Sequence, residues 1–200
     1  MLCFFLQYIS IIFGRHAREL VTKVVSKVLL ELKKLRICSA NTAGSTSSAS
    51  APALGWKYEV FLSFGGKDTR GFIEFLYQYL DKAGICSFRD DDKLIGEEVG
   101  PVLLKAIQES KISIPIFTRD YASYIWCLRE LEQMVECHKT MGHKILPIFY
   151  DVEPSDVRDQ IGSYEEAFRQ HQNRFDEKIV QGWKKALTEV GQMAGWKFNG

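Results

Sequence analysis

The stretch YEVFLSFGGKDTRGFIEFLYQYLDKAGICSF, residues 58–88, decides which fold the sequence predicts. Its opening apolar run is rich in aromatic and β-branched residues, as is typical of a buried strand. A pair of glycines follows as a turn, a helical pattern runs from Thr69 to about Ala83, and a second short strand is expected over residues 85–88. Strand, helix and strand in this order predict two parallel strands joined by a right-handed crossover.

The alternation continues through the rest of the chain. Further strands are expected at 112–117 and 144–150, and further helices at 100–110, 124–138, 164–173 and 178–194. This pattern predicts the α/β class, with a flavodoxin-like, doubly wound sheet of five parallel strands and helices on both faces. Pro115 and Pro147 fall within two of the strands. Because proline has no amide hydrogen for a ladder, we expect sheet edges or strand starts at these residues.

Charge is distributed unevenly along the chain. The net charge is +1, but residues 1–55 carry seven Lys and Arg against two Glu, so this segment has +5 and residues 56–200 have −4. Nucleic-acid binding calls for clustered basic side chains on the folded domain, and the longest basic run there is Lys184-Lys185. The sequence therefore argues against a nucleic-acid partner.

The cysteines indicate a reducing compartment and no metal site. They are odd in number and form no disulfide framework: Cys3, Cys38, Cys86, Cys127 and Cys137. Cys137-His138 and His143 resemble metal ligands only in residue type, because no second cysteine pair stands at zinc-like spacing. We expect neither a metal nor a prosthetic group.

The N-terminal segment has the character of a membrane anchor. Residues 1–13, MLCFFLQYISIIF, are apolar but shorter than the roughly 18 to 20 residues that span a bilayer. Positive charge follows this run instead of preceding it, which argues against a cleavable signal peptide. If the run inserts, the Lys and Arg after it keep the remainder of the chain in the cytosol.

Residues 15–37 predict a basic amphipathic helix suited to an anionic membrane surface. Six apolar residues recur there at helical spacing: Val21, Val24, Val25, Val28, Leu32 and Leu35. A transit peptide and a plain soluble extension are the alternatives. The expected domains are an anchor-like segment at 1–38, a flexible small-residue linker at 39–55 and a folded domain at 56–200.

A ligand site is expected beyond the carboxyl ends of the strands, where sheets of this class bind ligands. The loops at those ends cover residues 65–68, 90–99, 118–124 and 151–158. Gly65 and Gly66 would let the backbone approach a phosphate, and Asp68 or Thr69 would cap the helix that follows. The pattern is a weak signal, because the Lys-Ser/Thr pair of a phosphate-binding loop is absent.

Trp126 and Glu130 form a second candidate. Residues four apart share one face of a helix, so an aromatic ring and a carboxylate converge beside a ligand-side loop. The alternative is a half-buried tryptophan and an ordinary surface glutamate. Residues 90–92, three consecutive aspartates, are interpreted as a solvated loop, with cation binding as the other reading.

Four segments resemble successive motifs of plant TIR domains of the disease-resistance type, and in detail they are most similar to the flax rust-resistance type. They are YEVFLSFGGKDTR, the stretch from FRDDDKLIGEE to IWCLREL, ILPIFYDVEPSDVRDQIGSYEEAFRQH, and GWKKALTEVGQMAGW. The resemblance covers residues 56–200. It implies the TIR fold, plant defence signalling in the cytosol, and self-association with other TIR domains.

The resemblance also implies an NAD+ nucleosidase that releases nicotinamide and yields ADP-ribose-type signals, with NAD as substrate. Its catalytic glutamate falls on Glu130, with Trp126 as a nearby aromatic surface. The other positions implied to bind NAD are Phe64, Gly65, Gly66 and, in the loop over the pocket, Asp92.

Two departures from the family pattern bear on activity. Plant TIR domains usually carry arginine at the position of Gly65, so a guanidinium that would meet a substrate phosphate is missing, and we expect weak activity. The loop at 91–98 is one residue shorter than usual. The alternative function is a non-enzymatic adaptor that acts by TIR–TIR binding. The expected location is the cytosolic face of a membrane, with tethering through residues 1–37.

Overall fold

The computed structural model describes residues 14–42, 56–66, 69–89 and 99–199. The strands in these ranges are β1 Tyr58–Phe64, β2 Ser87–Arg89, β3 Ser110–Phe117, β4 Lys144–Ile145, β5 Ile148–Tyr150 and β6 Trp196–Phe198. The helices are α1 Gly14–Thr42, α2 Arg70–Lys82, α3 Val99–Gln108, α4 Ile125–Met141, α5 Pro154–Asp159, α6 Ser163–Gln172 and α7 Glu177–Gly191. One turn of 3-10 helix, Tyr121–Ser123, precedes α4.

The sheet is parallel throughout its described pairs. The strand order is β2-β1-β3-β5-β6, and β4 pairs with β3 at the same position as β5. β4 and β5 are the two halves of the strand predicted at 144–150, so the sheet has five strand positions in the flavodoxin-like order. The predicted fold class is confirmed.

The two prolines explain why the fourth strand is split. β3 pairs with β4 through Ile112 and Ser113 and with β5 from Ile116 onward. Pro115 and Pro147 lie in the gap between these two pairings, where a missing amide hydrogen costs no ladder bond. The expectation of a sheet edge at Pro115 was wrong, because β3 is a central strand; Pro147 does stand immediately before a strand start.

The C-terminal strand β6 was not predicted from the sequence, in which the last predicted element was the helix at 178–194. α7 ends at Gly191, and the chain then pairs β6 with β5. The amide of Trp196 donates to the carbonyl of Pro147 at 3.1 Å. This strand is recognisable only through its partner, because three residues carry too little periodicity to separate strand from helix.

Helices cover both faces of the sheet. On one face, α3, α4, α6 and α7 enclose a core built around Phe61, Phe117, Phe149 and Trp183. On the other face, α1 and α2 cover Val60, Leu62, Ile112, Ile114 and Ile148. Each strand of the centre is therefore buried on both sides, as its continuous apolar run requires.

Helix α1 is part of the folded unit. Its predicted amphipathic pattern is confirmed, but the apolar stripe packs on the sheet and on α2, and Ala17, Val21, Val24 and Val28 are fully buried. Arg36 Nη2 forms an ion pair with Glu59 Oε1 of β1 at 3.1 Å. The helix also extends to Thr42, so residues 39–42 of the expected linker are helical. The other residues of that linker, 43–55, lie outside the described residues.

Among the described helices, none combines the length and apolar character needed to cross a bilayer. Residues 1–13 lie outside the described ranges. Membrane attachment through residues 1–37 therefore stays a prediction.

Candidate functional site

A cavity of about 240 Å³ opens at the carboxyl ends of the strands. It is lined by Gly65, Gly66, Thr69, Thr118, Arg119, Asp120, Tyr150 and Asp151. These residues lie in three of the four loops named above or directly beside them, and β1, β3 and β5 bring the three loops to one edge because the strands are parallel. The fourth loop, with Asp92, lies almost entirely outside the described residues.

The first loop presents backbone to the cavity. Gly66 has φ +97, a conformation that side chains rarely adopt, so glycine is needed there. Thr69 stands at the N-cap of α2, but its side chain makes no capping hydrogen bond. Asp68, the other predicted capping residue, lies outside the described residues. The Oγ1 atom of Thr69 is buried and has no hydrogen-bond partner within the described structure.

Charged groups of both signs border the cavity. Arg119 Nε donates to the backbone carbonyl of Asp151 at 3.1 Å, which places the guanidinium at the rim. Asp151 has φ 52, an unusual conformation for a residue with a side chain. Among the described residues the rim therefore carries the cation of Arg119 and the carboxylates of Asp120 and Asp151, groups suited to a polar ligand that has both phosphate and hydroxyls.

A buried hydrogen-bond chain ties the end of β1 to the start of α4. The Tyr121 hydroxyl donates to the carbonyl of Cys127 at 3.2 Å and accepts from Ser63 Oγ at 2.9 Å. Burial raises the pKa of Tyr121 well above its ordinary value, and negative charge on Cys127 and Glu130 adds to the shift. Tyr121 is thus a neutral structural link whose ring is fully buried.

Further buried bonds hold the loop that carries Arg119 and Asp120. Cys127 Sγ donates to the carbonyl of Phe64 at 3.4 Å, and the Tyr164 hydroxyl donates to the carbonyl of Thr118 at 2.8 Å. His171 Nε2 donates to the carbonyl of Ala122 at 2.8 Å. The loop is therefore anchored to β1, α4 and α6, so the site's rim rests on a rigid base.

Glu130 is buried, with only 3% of its surface exposed. Among acidic side chains described between residues 56 and 199, it alone is buried. The negative charge of its carboxylate contributes to the raised pKa of Tyr121. The alternative interpretation of Glu130 as an ordinary surface glutamate is therefore wrong.

Trp126 lies half-exposed at the start of α4, where Arg129 places its guanidinium 4.9 Å from the ring centroid. The indole packs on Gly100 of α3 so closely that a Cβ at Gly100 would lie 2.4 Å from Cζ3 of Trp126. Neither Trp126 nor Glu130 lines the cavity. The structure thus brings Gly65 and Gly66 to the cavity, and Trp126 to the adjoining surface of α3.

Several residues of the site were not singled out in the sequence. They are Tyr121, Tyr124, Arg119 and Asp151, which all belong to loops predicted to face the ligand. Tyr124 packs its ring on Gly65, and Phe64 contributes a backbone carbonyl to the Cys127 thiol. Within the described residues, no cluster of histidine, cysteine and acidic side chains is arranged to hold a metal ion.

Comparison with known proteins agrees on one family. The family model described as "TIR domain" matches residues 57–199. The chain is 45% identical over 163 residues to disease resistance protein RPV1 of Vitis rotundifolia, covering 80% of this chain and 12% of that protein. It is 41% identical over 155 residues to TMV resistance protein N of Nicotiana glutinosa, covering 76% of this chain and 13% of that protein.

The chain thus spans only about an eighth of the length of these relatives. Among solved structures, it is similar to the TIR domains in the activated Roq1 resistosome directly recognizing the pathogen effector XopQ. The TM-score is 0.65 at 39% identity, and the match covers 71% of this chain and 88% of that one.

Proposed function

The chain belongs to the TIR domain family, and we propose that it is a plant immune-signalling domain that cleaves nicotinamide from NAD+ with Glu130 as the catalytic carboxylate. The named relatives are disease resistance proteins of plants, which supports the signalling role. The location proposed for this activity is the cytosol.

The burial of Glu130 is the observation that carries the enzymatic part of the proposal. Burying a carboxylate costs free energy, so a folded domain keeps one mainly where it is used or strongly paired. Glu130 stands on the helix whose first turn is anchored to the end of β1, next to the edge where ligands bind in this architecture.

Cleavage of the bond to nicotinamide requires mainly that the protein hold a negative charge in the right position. Nicotinamide leaves NAD+ as a neutral pyridine, so the leaving group needs no proton, and water adds to the same ribose carbon and releases a proton to solvent. The positive charge that develops on the ribose is stabilised by a nearby carboxylate, as in glycoside hydrolysis. Glu130 supplies that carboxylate, while Trp126, one helical turn away, offers an aromatic surface to the substrate.

We propose that the remainder of the NAD+ molecule binds in the cavity. Backbone at Gly65 and Gly66 allows close approach of a phosphate, and Arg119 places a cation at the rim. The carboxylates of Asp120 and Asp151 suit ribose hydroxyls. NAD is thus the proposed substrate, with no metal required for bond cleavage.

Access to Glu130 requires movement, since its side chain is almost entirely covered. We infer that self-association of TIR domains provides the rearrangement, in line with the similarity to the TIR domains of an activated resistosome. The proposed partners are accordingly other TIR domains.

The test is NAD+ consumption by the full chain at high concentration, compared with Glu130→Gln. Glu136→Gln on the same helix is the matched control, because Glu136 is exposed. We expect nicotinamide release by the wild type and by Glu136→Gln but none by Glu130→Gln. Equal release by Glu130→Gln would contradict the catalytic assignment.

The adaptor remains a second candidate, because the ring of Tyr124 occupies the space beside Gly65 where the usual arginine would begin. If the chain is an adaptor, we expect it to self-associate in sedimentation experiments while nicotinamide release stays at background. That combined result would replace the enzymatic proposal.

A further inference from the structure

Helix α1 presents two faces of different character. The inward face is apolar and packs on β1, β3 and α2, as described above. The outward face carries exposed basic side chains at helical spacing, Arg15, Lys23 and Lys33, with Lys34 at its side. Leu30 lies among them and is 48% exposed.

The charge of this face is distinctive within the chain. Residues 14–36 hold seven Lys and Arg and two Glu, whereas residues 56–200 have a net charge of −4. The two glutamates pair with part of this charge, Glu31 with Lys27 and Lys34 at 3.0 Å each and Glu19 with Lys23 at 2.7 Å, so residues 14–36 keep a net charge of +5. The outward face of α1 is therefore a basic strip on an acidic domain.

We propose that the outward face of α1 binds an anionic lipid surface while the inward face stays packed on the sheet. A basic strip with an interspersed exposed leucine matches the surface of a bilayer that contains acidic phospholipids. The acidic remainder of the domain is repelled by the same surface, so the chain binds in one orientation, with α1 against the lipid.

Release of α1 from the domain is disfavoured. The valine face that would have to insert into the bilayer is already buried in the core between α1, α2 and the sheet. If α1 left the domain, it would expose four apolar side chains of the sheet to water: Val60, Leu62, Ile112 and Ile114. The docked helix therefore meets the membrane with its charged side. This differs from an ordinary interfacial helix, which buries its apolar face in lipid.

Vesicle co-sedimentation of the full chain tests the proposal. The probes are vesicles of phosphatidylcholine alone and vesicles that also contain phosphatidylserine. We expect binding to the anionic vesicles that falls steeply with added salt, and much weaker binding to the neutral ones. Equal binding to both would overturn the proposal and point to insertion of residues 1–13.

A charge-reversal variant locates the contact. Arg15→Glu/Lys23→Glu/Lys33→Glu should weaken binding to anionic vesicles about tenfold or more. The matched control, Arg174→Glu/Lys178→Glu/Lys185→Glu, makes the same charge change on α7 and the turn before it, against the opposite face of the sheet. Equal loss of binding in both variants would show a net-charge effect and overturn the assignment to α1.

Hydrogen exchange on vesicles tests whether α1 stays docked. Amides of α1 and β1 should keep the protection that they have without lipid. Lost protection in β1 on anionic vesicles would mean that α1 leaves the sheet. If the basic residues instead govern a dimer in sedimentation without lipid, the strip is a surface for a second copy, and the lipid proposal fails.

Discussion

The ring of Tyr124 lies against the backbone of Gly65, so that a Cβ at Gly65 would stand 2.5 Å from Cδ2 of Tyr124. The two residues are far apart in sequence but meet at the rim of the cavity, where β1 ends and α4 begins. Plant TIR domains usually carry arginine at this position, and here an aromatic ring occupies the space in which that side chain would start.

This contact predicts that Gly65→Arg alone does not improve activity. The new side chain collides with Tyr124, and we expect lower stability with no gain in nicotinamide release. Gly65→Arg/Tyr124→Ala removes the collision and should release nicotinamide faster than Tyr124→Ala alone. The measurement is NAD+ turnover beside thermal unfolding, and a Gly65→Arg variant as stable as the wild type would contradict the steric argument.

Tyr121→Phe should destabilise the domain by about 1 to 3 kcal/mol, because it leaves the buried Ser63 hydroxyl and Cys127 carbonyl without their shared partner. Urea unfolding measures this change. Tyr77→Phe is the control, since Tyr77 is half-buried on α2 and its ring faces Arg89. Equal stability of the two variants would show that the bridge contributes little.

Val24→Asp tests whether α1 belongs to the folded unit. The side chain of Val24 is fully buried between α1 and the domain, and a carboxylate there should cost about 3 kcal/mol or more. Ser26→Asp changes an exposed position two residues away and should be nearly neutral. Thermal unfolding of the full chain compares them. An unchanged midpoint for Val24→Asp would place α1 outside the cooperative unit.

His143 predicts a loss of stability in mild acid. Burial lowers the pKa of His143 from 6.5 to about 4. The neutral ring donates from Nδ1 to the carbonyl of Ser110 and accepts at Nε2 from Ser113 Oγ, each at 2.8 Å. The unfolded chain therefore binds a proton that the folded chain excludes, so this contribution is complete above about pH 6.5 and is lost as the pH falls towards 4.

The expected loss is roughly 3 kcal/mol over that interval. Urea unfolding between neutral pH and mild acid measures it, and His143→Gln should flatten the dependence. His16→Gln is the control, because His16 is exposed on α1. A wild-type stability that stays constant down to pH 4 would contradict the prediction.

The sheet was predictable because each central strand is a continuous apolar run followed by a helical pattern. Both signals lie within short windows, which is where periodicity carries information. The predictions that were wrong or missing concern features that depend on a second, distant segment of the chain. Pro115 predicted a sheet edge, yet it lies in a central strand. The strand accommodates it because Pro147 lies opposite, in the gap between the two pairings of β3. Strand β6 forms only through its pairing with β5.

The candidate site divides in the same way. Helical spacing placed Trp126 and Glu130 on one face of α4, but it left open whether the carboxylate was buried or an ordinary surface group. Burial followed from the packing of α4 against the core. The ring of Tyr124 over Gly65 had no sequence signal, since it results from loops of different strands meeting at one edge. The same holds for the buried hydroxyl of Thr69, which has no hydrogen-bond partner among the described residues.

The sequence by itself determined the α/β class, the parallel order of the strands, the loops at the carboxyl ends of the strands and the amphipathic character of α1. Only the tertiary structure decided where the valine face of α1 is buried, which residues meet around the cavity and how deeply Glu130 lies. The physical reason is that backbone pattern is a local property, whereas burial is a relation between distant segments. An apolar stripe requires an apolar partner, but it does not specify whether that partner is a bilayer or the open face of its own sheet.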